Sequence, residues 1–379
     1  MIRKHIVAVL GVLILAVAAA VGSPGPTSAE PPVGSMLVVP VCTPGNCGSD
    51  PACLTPVLRF YFEGTGPLSQ LSDIPPSPES LVNDPSYAAF SSQGELFVAN
   101  RHGNVGGGVG SIARFTFDAA GDPVANGSIT GNSLEAVVGL AFSPTGELFA
   151  ANHWNGTVSR FLFDTAGNAI PNGTIPTGGN QGLAFSPNGE LFVANGSSVE
   201  RFLFDPVTQE AIPNGYFVTA GWCLHGLTFS AQGELFVADP CGALVFRFVF
   251  DGLGNAVDNG TIDVSVPGTP IGVAFSSAGE LFVTGHYGGG ISRFLFDVNG
   301  DAIPNGFTPT DHLGGPAILA GVTAPTPTPT SVPPVGGVAA LPEASGSPAS
   351  NYIAVAALAA AALLALTAGA WYARRRWLR

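Results

Sequence analysis

The sequence predicts an all-β protein: a β-propeller, six blades being the favoured count and five plus an added hairpin the alternative, followed by one C-terminal transmembrane helix. Three observations carry this. The element Gly-Glu-Leu-Phe recurs at Gly94–Phe97, Gly146–Phe149, Gly189–Phe192, Gly233–Phe236 and Gly279–Phe282. A second element, Arg-Phe-x-Phe-Asp/Glu, begins at Arg59, Arg114, Arg160, Arg201, Arg247 and Arg293, at spacings of 55, 46, 41, 46 and 46 residues. A period near 45 with strand-like content throughout is one four-stranded blade per repeat. Lastly, Ile353–Trp371 is an uncharged run rich in Ala, Leu and Val, long enough to cross a bilayer.

Taken from the start, residues 1–29 have the layout of a secretory signal. Arg3-Lys4-His5 is a basic start, Ile6–Val21 an apolar run and Thr27-Ser28-Ala29 a small-residue cleavage site; a retained N-terminal membrane helix is the alternative. Residues 30–56 form a Pro- and Gly-rich segment with Cys42, Cys47 and Cys53. In an oxidising compartment these suit a stapled loop better than a metal site, since no histidine lies near them.

The repeats occupy residues 57–322. Each opens with a short apolar strand such as Gly139–Phe142 and a Ser-Pro-x-Gly turn. Then come Glu-Leu-Phe-Val-Ala-Asn, a strand ending in Arg-Phe-x-Phe, and a weaker fourth strand around Ile-Pro-Asn-Gly. Asn155-Gly156 is the strongest two-residue hairpin signal. Blades one to five are numbered here by Glu95, Glu147, Glu190, Glu234 and Glu280. The Arg59 strand and its successor have no preceding pair, so a strand near Ile318-Leu319-Ala320 is expected to complete a sixth blade from the two chain ends. Of 25 Phe, 22 occupy repeat positions, which makes them packing between blades, each worth about 1.5–3 kcal/mol when buried. Cys223 and Cys241 flank the Ala231-Gln232-Gly233 turn symmetrically, and that register predicts a disulfide between them.

Residues 323–350 are a Pro/Thr-rich stalk containing Leu341-Pro342-Glu343-Ala344-Ser345. The membrane helix spans 351–372, and the tail 373–379 carries Arg374, Arg375, Arg376 and Arg379, which places the C-terminus in the cytoplasm and the propeller outside. A Leu-Pro motif, an apolar span and an arginine tail in this order resemble the sortase sorting signal of Gram-positive-type wall proteins. Ala344-Ser345 stands where that pattern has Thr-Gly, so sortase is one expected partner and plain membrane anchoring the other reading. Without its two ends the chain keeps seven arginines, no lysine and twenty-six acids, a charge of −19. That surface excludes nucleic acid as a partner.

The six-fold repetition of the Arg-Phe-x-Phe arginine marks it as structural, paired either with the Glu of Gly-Glu-Leu-Phe or with the Asp after Phe-x-Phe. Runs such as Asp297–Asp301 hint at calcium loops but lack a full oxygen set and a closing glutamate, and they sit where turns are needed. Chemistry is expected where the copies disagree. The loops after second strands, and those leading into first strands, open on one face around the central channel. There lie His102, His153 with Trp154, Trp222 with His225, and His286 with Tyr287. These are the candidate ligand-binding residues, with His102, His153 and His286 as candidate ligands of a divalent metal.

The motif Gly-x-Ala-Phe-Ser-x-x-Gly-Glu-Leu-Phe-Val-Ala-Asn over residues 57–322 resembles the six-bladed NHL and TolB-like propellers. That superfamily includes gluconolactonase-like lactonases, streptogramin lyases and many binding modules. The resemblance implies either a non-enzymatic, surface-anchored module for an extracellular ligand or protein, or an exported metal-dependent lactonase or lyase with its site at the channel mouth. The lactonases hold metal with a Glu, Asn and Asp set. Asn100, Asn152 and Asn195 are repeated and therefore read as structural. No Gly-x-Ser-x-Gly or His-Glu-x-x-His is present, so no catalytic residue is assigned.

Overall fold

The computed structural model describes residues 33–40, 55–76, 81–101, 110–178, 181–264, 268–286, 289–310 and 313–323. The leader, the three N-terminal cysteines, His102, Tyr287, the stalk with Leu341–Ser345, the apolar span and the basic tail lie outside these residues. No helix among the described residues is long and apolar enough to cross a membrane.

Six four-stranded antiparallel sheets make a six-bladed propeller. Blade two is typical: Val137–Phe142 is innermost, then Leu148–Asn152, Thr157–Phe163 and the outer Ala169–Pro176. The second strand is buried at every position because neighbouring blades cover both its faces. The Ser-Pro-x-Gly turn is fixed by Ser143, whose Oγ accepts from Glu147 N–H at 3.1 Å. The Asp after Phe-x-Phe caps the next turn: Asp164 Oδ1 accepts from Ala166 and Asn168 N–H at 2.9 and 2.8 Å. The Asn168 amide and these N–H groups hold the Asp164 carboxyl below its ordinary range. The carboxylates that looked like calcium ligands are thus turn caps.

Between third and fourth strands the register slips at Ser159/Phe161, which places Arg160 opposite Asn172-Gly173. The bulge needs a left-handed residue, and Gly173 supplies it at φ 83°. It re-aims two side chains onto one carboxylate. Arg160 Nε and Nη2 reach Glu147 Oε1 and Oε2 at 2.9 Å each, and Asn172 Nδ2 donates to Oε1 at 2.6 Å. The same Arg–Glu–Asn cluster occurs around Glu95, Glu190, Glu234 and Glu280. Of the two expected partners the Glu is therefore the arginine's, and the Asp is engaged in its own turn.

Each of these five guanidinium groups also lies over two phenylalanines, one from its own blade and one from the next. Arg114 sits 5.3 Å from Phe97 and 5.5 Å from Phe163, and Arg160 sits 5.3 Å from Phe149 and 5.2 Å from Phe204. The chain of contacts continues to Arg293 over Phe282 and Phe62, and Arg59 over Phe117 returns it to blade one. Phe97, Phe142 and Phe163 make edge contacts at 5.0 and 5.6 Å in the same interblade space.

Blade six joins the two ends of the ring. Ala317–Thr323 is innermost, Val33–Pro40 second, Val57–Phe62 third and Ser69–Gln70 outermost. The strand near Ile318 is where the sequence places it, but the propeller begins at Val33 rather than Val57. Val33–Pro40 carries no Gly-Glu-Leu-Phe, and with Leu37, Val38 and Val39 wholly buried it has no alternation to read. Val38 pairs with Arg59 where the other blades have Phe. Arg59, lacking a Glu, donates instead to Ser72 O, Ser72 Oγ and Gly121 O, with Asp122 at 3.6 Å. Burial lowers its pKa, while Asp122 acts in the opposite direction.

Candidate functional site at the channel mouth

The inner strands meet around the axis through glycines. A Cβ on Gly139 would strike Gln181 O and Gly182 Cα, one on Gly182 would strike His225 O, and one on Gly226 would strike Ile271 O. Blade one breaks this ring with Tyr87. Its side chain crosses the axis, packs against Gly315 of blade six, and donates from its hydroxyl to Ile271 O of blade five at 2.7 Å. Tyr87 is therefore a floor, and the channel is a bowl that opens on one face.

Equivalent positions fill the bowl with different residues. Arg101, His153 and His286 each follow a second strand, and their N–H groups are pinned to Asp84 O, Ala136 O and Thr269 O at 3.1, 3.1 and 2.9 Å. Gln181 and His225 each precede a first strand and donate from backbone N–H to Ala194 O and Ala238 O. Gln181 Nε2 lies 3.2 Å from His153 Nδ1, a contact that ties the lead-in of blade three to the second-strand end of blade two. Burial pushes His225 down to about 4, helped by the positive charges of His286, His153 and Arg101. His225 is thus a neutral imidazole at ordinary pH, and residues from blades one to five converge on one mouth. Trp154 and Trp222 stand on the rim, 53% and 77% exposed.

The structure brings His153 and His286 within electrostatic reach of His225, and Trp154 and Trp222, near them in sequence, are exposed. His102 and Tyr287 lie outside the described residues. Arg101, Gln181 and Tyr87 complete the bowl and escaped the sequence reading. A signal for Arg101 was present: it is the one arginine between residues 30 and 350 outside the repeated element, in the position that His153 and His286 occupy.

Among the described residues, His153, His225 and His286 are not grouped closely enough to share a metal ion, and His102 of the expected trio lies outside those residues. Among the described residues, the one group of three His, Cys, Asp or Glu ligand atoms within 4.8 Å of one another is Cys223, Asp239 and Cys241. Its two sulfurs are already joined in a disulfide, with Cα atoms 5.7 Å apart. Arg101 beside the histidines also disfavours a cation there. Asn100, Asn152 and Asn195 are engaged within the fold. Asn100 Nδ2, for example, donates to Leu81 O and Ser111 Oγ. They offer no free ligand set of the lactonase kind.

What the mouth can do follows from these groups. A guanidinium and imidazole N–H groups can hold a carboxylate, phosphate or developing oxyanion, and a histidine can exchange a proton with bound water. The exposed indoles can stack on a sugar ring.

No protein-family profile matches the sequence, and no curated protein matches it. Solved structures do. A 6-phosphogluconolactonase candidate from Bacteroides uniformis aligns at TM-score 0.55 and 19% identity, covering 73% of this chain and 83% of its own. A second such candidate, from Bacteroides fragilis, aligns at 0.54 and 18%, over 76% and 84%. The periplasmic gluconolactonase of Pseudomonas aeruginosa aligns at 0.54 and 20%, over 73% and 83%. At this identity the likeness is one of fold.

Proposed function

We propose that the protein is a propeller hydrolase that opens a sugar-acid lactone at the channel mouth. The observation that carries the reading is the convergence of Arg101, His153, His225 and His286 above the Tyr87 floor. The lactonase names of the aligned structures agree with it. In this reading Arg101 stabilises the oxyanion formed as water adds to the lactone carbonyl. A mouth histidine takes the proton of that water and gives it to the ring oxygen as the tetrahedral adduct collapses and the ring C–O bond breaks, leaving the carboxylic acid and a hydroxyl. The reading routes no step through a metal.

We place the propeller outside the cell, carried there by residues 1–29 and held by the apolar span 351–372, with sortase as a partner if Leu341–Ser345 is processed. Replacing Leu341-Pro342 leaves surface retention unchanged if the span itself is the anchor.

The test is acid release from glucono-δ-lactone and 6-phosphogluconolactone, measured against spontaneous hydrolysis. Acceleration that falls at least tenfold in Arg101→Ala and His153→Ala supports the reading. A wild-type rate equal to background refutes it. Binding without turnover is the second reading, favoured by the exposed Trp154 and Trp222. It predicts saturable calorimetric binding of a sugar acid by a protein that leaves lactones at their spontaneous rate.

A further inference from the structure

The second strands of blades one to three end in asparagine, and each asparagine ties down the lead-in loop of its own blade. Asn100 Oδ1 accepts from Asn83 N–H at 3.1 Å while its Nδ2 donates to Leu81 O at 2.9 Å. Asn152 Oδ1 accepts from Glu135 N–H at 3.1 Å, and its Nδ2 donates to Ser159 Oγ, which in turn donates to Asn132 O. Asn195 works through Glu200, whose Oε1 accepts from both Asn195 Nδ2 and Gly178 N–H. An asparagine can do this because its side chain both donates and accepts.

Blade four has Asp239 at this position, 1% exposed. An aspartate lacks the side-chain amide with which the asparagines donate to their loops. Its Oδ1 is turned back to Cys241 N–H at 3.2 Å. The lead-in loop passes directly over it: a Cβ on Gly221 would lie 2.5 Å from Asp239 Oδ2. In this blade the loop is joined covalently to the end of the second strand, Cys223 to Cys241. Trp222 precedes Cys223 and His225 follows it by two residues. Cys241 is exposed, so the bond is within reach of a soluble reductant.

We infer that the Cys223–Cys241 disulfide takes over the asparagine's task in blade four and is the positioning element that holds Trp222 and His225 at the channel mouth. Its reduction leaves the lead-in loop with only its backbone bonds, above an Asp239 that has no amide to offer, and lets the His225 side chain shift away from Arg101, His153 and His286. The inference goes beyond the lactone reading and does not depend on it, since the test reads His225 itself.

The experiment is histidine-selective NMR titration of the full-length protein, with the His225 signal assigned by His225→Gln. In the oxidised protein, burial is expected to bring that signal's titration down to about 4. Dithiothreitol treatment, which requires no substitution and so no refolding, is expected to raise it toward the ordinary value of about 6.5. The Cys223→Ser/Cys241→Ser variant is expected to do the same. Adding Asp239→Asn to that variant restores a donor at the strand end and brings the titration back down. An unchanged His225 titration after reduction, with free thiols verified, overturns the positioning role. A rise that Asp239→Asn does not reverse overturns the exchange of task between asparagine and disulfide.

Discussion

Removing one carboxylate from the interblade clusters tests what holds the ring together. Glu147 is 6% exposed, and its partner Arg160 is 7% exposed. Glu147→Ala deletes two hydrogen bonds to the guanidinium and one from Asn172, and leaves Arg160 buried between Phe149 and Phe204 without its counter-charge. Losing one member of a buried pair costs about 3–5 kcal/mol, because the remaining charge stays desolvated. Glu95→Ala is the control: Glu95 is 17% exposed and Arg114 11%, so water reaches the stranded cation and the cost falls to about 1–3 kcal/mol. The double variant Arg160→Met/Glu147→Leu removes both charges and keeps apolar volume, so it should lie within about 2 kcal/mol of wild type. Equilibrium urea unfolding with a common m-value measures all three. A Glu147→Ala cost below about 1 kcal/mol, or a double variant as damaged as the single one, would refute the account of the cluster as a paired buried charge.

Two further outcomes concern the mouth. The folded pKa of His225, about 4, lies below its unfolded value of about 6.5, so between these limits the unfolded chain binds the extra proton. The contribution of His225 to stability is therefore complete above about pH 6.5 and is lost as pH falls toward 4; the difference in melting temperature between wild type and His225→Gln across that window measures it, and a pH-independent difference contradicts it. Tyr87→Phe deletes the hydroxyl bound to Ile271 O and should cost about 0.5–1.5 kcal/mol, whereas Tyr87→Gly also empties the axis and should cost at least twice as much; equal costs would show that the ring does not fill the channel.

Architecture was legible because repetition writes it several times. Six arginines, five Gly-Glu-Leu-Phe strands and the phenylalanines between them are one cyclic contact pattern, and any single copy predicts the rest. Val33–Pro40 was not legible, since a strand buried on both faces shows no alternation and the closing blade had no copy to match. At the mouth the histidines stood out as departures from the repeat. Arg101 was hidden among repeated arginines, and Gln181 is an unremarkable polar residue until its place beside His153 is known. Tyr87 occupies a position where the other blades have glycine, but its reach to Ile271 is a contact between residues 184 apart that no local pattern encodes. The exchange of asparagine for aspartate at Asp239 is a single-atom difference, and it acquires meaning only beside the loop that passes over it.

The closing blade sets the order of events in folding. Val38 waits for Ala317, about 280 residues later, before its inner edge is covered. Until then Leu37, Val38 and Val39 form part of an apolar strand with one open hydrogen-bonding edge, the kind of segment that pairs with other chains. Five blades can assemble as they are made, but the circle is sealed only by the last strand. A chain that stops short of Ala317 is an open arc with a sticky end, and its fate is set by concentration rather than by the stability of its blades.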